Sequence, residues 1–183
     1  MNNNNGAQNP SHPESFPSGS APIRYHSNSE LVTFSGTHLC HDLKMFFETA
    51  VVQSRFNSST DFLKNLSGIS TNLIESYALH LRNIVAFFYN DNRTPNEIVA
   101  ADFCAEGNWV EVRPPMSRAL DIAHKRANKI LLPLTQERDS LEGPANGWNF
   151  DGLTAEIKLV FQLFLKTAIP ERISPMLSAL WCD

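Results

Sequence analysis

The stretch STNLIESYALHLRNIVAFFY, Ser70 to Tyr89, decides the fold. Leu73, Ile74, Tyr77, Leu81, Ile84, Val85 and Phe88 recur at three- and four-residue spacing, the period of one helical face, while Glu75, His80, Arg82 and Asn83 fall off that stripe. A helix this apolar on one side needs partners of the same kind, because a stripe left against water forfeits the free energy of burial.

Suitable partners flank it. Upstream, THLCHDLKMFFETAVVQSRF sets Leu39, Leu43, Phe46, Phe47, Ala50 and Val51 at helical spacing, with Ser35 or Thr37 available as a cap. Downstream, Pro114 and Pro115 lead into MSRALDIAHKRANKILLPL, where Met116, Leu120, Ala123, Ala127, Ile130 and Leu134 share a face. The fourth pattern, DGLTAEIKLVFQLFLKTA, uses Leu153, Ile157, Val160, Phe161, Phe164 and Ala168, with Asp151 as its expected cap. SPMLSALWC reads as one short closing helix, and no segment alternates over enough residues to force a sheet. The expected fold is all-α: an antiparallel bundle of four main helices plus a short C-terminal helix.

Between the second and third helices, NDNRTPNEIVAADFCAEGNWVEVRPP carries turn-forming Pro, Gly and Asn together with Ile98, Val99, Phe103 and Trp109. It reads as an ordered loop with short turns, anchored by those apolar residues. At the other end, residues 1 to about 30 hold an asparagine run, repeated Pro and Ser, and few large apolar side chains. Such a segment cannot offset the entropy of ordering its backbone, so a disordered tail is expected before a single domain spanning residues 31–183.

Composition narrows the function. A formal net charge of −4, with 42% hydrophobic and 19% charged residues, supplies no overall basic field for nucleic acid, so any RNA contact must be local. Cys40, Cys104 and Cys182 are far apart and odd in number, which offers neither a disulfide framework nor a CxxC metal site. No run of about 18 apolar residues is present, and the N-terminus lacks the basic-then-apolar layout of a signal peptide. A cytoplasmic protein without a membrane anchor is expected.

No GxSxG elbow, GxxxxGK[ST] or GxGxxG marks a nucleophile or a phosphate cradle. His38 and His41, three apart with Asp42 adjacent, could offer two metal ligands, but no third or fourth is evident, so neither a metal nor another cofactor is expected. Two polar groups survive. On the second helix, Glu75, His80, Arg82 and Asn83 can pair with each other or with a neighbour. On the third, His124, Lys125, Arg126, Asn128 and Lys129 form a dense cationic patch, either a solvated face or an edge where arginine's rigid fork grips phosphate.

The order IESYALHLRNIVAFFY, EIVAADF, a lone Trp at NW, RANK, LT with a following Arg, and GWNF before a last apolar helix resembles a group of bacterial helical proteins associated with the HEPN superfamily. The likeness runs from about Leu73 to Phe164. HEPN ribonucleases are small helical bundles, usually dimers, that cut RNA without metal through an Arg and a His with four to six residues between them. By that resemblance Arg126 takes the place of the motif's Arg, and Pro133 stands where its His would be. Proline has no ionisable side chain and ends or kinks a helix. His124 precedes Arg126 by two positions and so points about 200° around the helix. Cleavage would need a base borrowed from elsewhere, such as His80, with Arg126 as the catalytic cation.

The expected function is therefore a non-catalytic HEPN-like module in bacterial defence or stress control. It would bind RNA or a partner protein through Arg126, Asn128, Lys129 and Arg82, as a homodimer. A metal-independent endoribonuclease, and a structural or regulatory dimer with no nucleic-acid role, are the alternatives.

Overall fold

A computed structural model describes residues 26–58, 67–92, 94, 96–131 and 148–180. The expected tail up to residue 25, Leu134, Pro133 and Cys182 lie outside the described residues. Helices account for the regular structure, and no strand occurs among the described residues. The helices are α1 (Asn28–Phe34), α2 (Cys40–Ser58), α3 (Ser67–Tyr89), α4 (Asn108–Val112), α5 (Arg118–Ile130), α6 (Phe150–Thr167) and α7 (Pro175–Ala179). No helix among them is long and apolar enough to cross a membrane.

The first helix starts earlier than expected. Ser27 caps α1 in a reciprocal box, its hydroxyl accepting from the Glu30 N–H while Glu30 accepts from the Ser27 N–H at 2.8 Å. Asn28 to Glu30 are thus helical, not part of a tail. Neither Ser35 nor Thr37 opens an α-helix: they sit in a π-helical turn, Ser35–Leu39, that joins α1 to α2, and Ser35 is the C-terminal cap of α1. Asp151 is likewise displaced as a cap by Asn149, whose side chain accepts from the Gly152 N–H at 3.0 Å.

Side-chain pairs define an up-down-up-down bundle of four main helices, α2, α3, α5 and α6. Phe46 stacks on Tyr77 at 4.9 Å and Asp42 meets His80, so α2 and α3 run antiparallel. Ser117 Oγ donates to Glu156 at 2.7 Å and Arg126 covers the Trp148 ring, so α5 and α6 do the same. The diagonal helices α3 and α6 run parallel: Tyr77, midway along α3, touches Phe150 at the start of α6, and Phe88 touches Phe164 towards the ends of both. Every residue of the Ser70–Tyr89 stripe except the half-buried Leu73 is fully enclosed in this core.

The connecting loop is ordered. Val99, Phe103 and Trp109 are buried, and Trp109 and Arg113 both donate to the Phe88 carbonyl, at 2.9 and 3.0 Å, closing the end of α3. The closing helix α7, capped by Ser174, docks against the π turn: the Ser174 N–H donates to buried Ser35 Oγ at 2.9 Å. Cys40 and Cys104 are buried free thiols, and burial pushes the Cys104 thiol up to about 11, leaving it protonated at neutral pH.

Candidate functional site

The cations of α5 face different neighbours. Arg126 is half-buried with its guanidinium 5.1 Å from the centre of the Trp148 ring, just ahead of α6. Trp148 in turn packs edge-on against Tyr77 at 5.4 Å, so this arginine rests on the core rather than in open solvent. Asn128 and Lys129 are exposed.

On the side of α5 that meets α3, half-buried His124 lies within the field of Arg82. Burial is the main cause that lowers the His124 pKa; Asp121 opposes it, while Arg82 and Lys125 lower it further. The imidazole is therefore neutral at pH 7. Asn128 Nδ2 approaches His124 Nε2 at 3.4 Å, and Lys125 pairs with Asp121 at 2.7 Å on the exposed surface. Of the residues expected to act together, Asn128 approaches His124 on α5, and the charge of Arg82 on α3 acts on that imidazole. Arg126 stands around the helix from them, as a two-residue offset dictates.

α5 ends at Ile130, with Leu131 at φ −90° and ψ 0°. The regular helix that carries Arg126 thus closes at Leu131, and position 133 lies outside the described residues. His80, the imidazole considered as a borrowed base, is buried and faces α2. Its Nδ1 lies 2.6 Å from Asp42 Oδ1, and its ring meets His41 edge-on at 5.5 Å. Arg126 leans instead on Trp148, so the two are turned to different sides of the bundle.

Asp42 is the partner, not identified from spacing, of His80 and Asn83, two members of the polar group expected on α3 to pair with a neighbour. Asn83 Nδ2 adds a contact to each Asp42 oxygen, at 3.3 and 3.5 Å. The one available signal was the off-stripe position of His80 and Asn83 on an otherwise apolar helix. No group of three or more His, Cys, Asp or Glu among the described residues could hold a metal ion. Compared with known protein families, curated proteins and solved structures, the chain matches none.

Proposed function

We propose that the protein is a non-catalytic HEPN-like helical module that binds RNA on the face shared by α3 and α5. The reading is carried by Arg82 of α3, whose positive charge acts on His124 of α5 in a chain of net charge −4. Arginine's fork matches phosphate oxygens, and a neutral imidazole beside an amide can donate to or accept from a ribose or base edge. Exposed Asn128 and Lys129 extend the face, and Arg126 bounds it on the Trp148 side.

The test is binding of a labelled single-stranded RNA to the full chain at low salt in chelator. Arg82→Ala is expected to weaken binding more than Arg126→Ala, with the RNA recovered intact. A second reading, a metal-independent endoribonuclease, is favoured by the same pair, since His124 is a neutral base beside a cation that could steady a pentacoordinate phosphate. Cleavage in chelator that disappears in both Arg82→Ala and His124→Gln would establish that reading instead. Absence of any binding would leave the structural dimer.

A further inference from the structure

Away from the α3–α5 face, a half-open cavity of about 320 Å³ lies between α1, the π turn, α3 and the loop after it. Phe34, Phe87 and Ile98 give it an apolar wall, while Asp42, Asn83 and Glu97 supply polar groups. A few fixed polar groups in a mostly apolar hollow of this size describe a small-molecule site. The π turn, a device often found at such sites, places His38 and Leu39 on its rim.

We infer that this cavity binds a small organic cation, a protonated amine carried on an apolar or aromatic body. Both carboxylates are held in place by donors yet keep acceptor capacity. Asp42 Oδ1 takes His80 at 2.6 Å, whereas Oδ2 has only Asn83, at 3.5 Å. Glu97 Oε2 accepts from Asn90 Nδ2 at 3.2 Å and from the Thr94 N–H at 2.7 Å, which leaves Oε1 able to accept. No lysine or arginine is among the described residues that line the cavity, and His38 is the one lining group there able to carry positive charge. An ammonium donates three hydrogen bonds and complements that charge, while the apolar wall takes its body.

The probe is 2-phenylethylammonium, titrated into the full chain and followed by amide NMR and calorimetry, with 2-phenylethanol and 3-phenylpropionate as neutral and anionic comparators. The ammonium is expected to shift the side-chain amides of Asn83 and Asn90. Asp42→Asn and Glu97→Gln are each expected to weaken binding roughly tenfold, the size of one charge-assisted hydrogen bond. Arg82→Ala should leave it unchanged, which separates this site from the RNA face. Should Asp42→Asn fail to fold, Glu97→Gln decides alone, because its partners are exposed. Equal binding of the alcohol, binding of the anion, unshifted amides, or wild-type affinity in the folded variants would overturn the inference.

Discussion

His80 Nδ1 lies 2.6 Å from Asp42 Oδ1, a contact that fastens α3 to α2 across 38 residues of sequence. The histidine side chain is 8% exposed and the aspartate 21%, so solvent cannot fully replace either partner. Removing one leaves a buried polar group unmet, at a cost of about 1–3 kcal/mol.

Asp42→Ala should accordingly lower the unfolding free energy, measured by urea denaturation, by that amount. Lys44→Ala, which breaks an exposed pair with Glu48 at 3.9 Å, should stay within about 0.5 kcal/mol of wild type. Equal losses in the two variants would show that the buried contact stabilises no more than a surface one.

Gly36 of the π turn lies against Ser174, the cap of α7. A Cβ there would sit 2.6 Å from Ser174 Oγ and 3.0 Å from its Cβ. That hydroxyl is already the cap of α7, accepting from the Met176 N–H at 3.3 Å, so rotating it away forfeits a cap of about 1 kcal/mol. Gly36→Ala is expected to destabilise by about 1–3 kcal/mol. In the Ser174→Gly background, where both clashing atoms are gone, the same change should cost markedly less. Additive losses in that double-mutant cycle would contradict the contact.

His124 offers a test by titration. Burial and the Arg82 charge lower its pKa, so NMR should find it below the ordinary histidine value, and Arg82→Ala should raise it. The sign for stability follows: the unfolded chain takes the proton first on acidification. The contribution is complete above about pH 6.5, the unperturbed value, and is lost as pH falls from there through the folded value. Arg82→Ala narrows that window. A His124 pKa unmoved by the substitution would separate the two residues.

The bundle was legible because Tyr77, Leu81, Ile84, Val85 and Phe88 follow one helical stripe, and all of them are buried. The start of α1 was legible too, in the Ser27-to-Glu30 spacing of a capping box, but the polar, proline-rich surroundings masked it. Asn149 outdid Asp151 by two positions, a boundary that local pattern resolves poorly. The partner of His80 escaped for a different reason. The histidine's burial depends on an aspartate from another helix, and no local period encodes that partner. Arg82 was named with the cations of α5, whereas the action of its charge on His124 is set by tertiary packing.

The most direct test of the proposed RNA face is the salt dependence of its binding. The slope of log affinity against log salt counts the phosphates neutralised, at roughly 0.7 per contact for a single strand. The Arg82→Ala variant is expected to flatten the wild-type slope by about that amount while binding weakens uniformly across RNA sequences. A slope identical to wild type would mean that Arg82 touches no phosphate, and the α3–α5 face would lose its claim to the ligand.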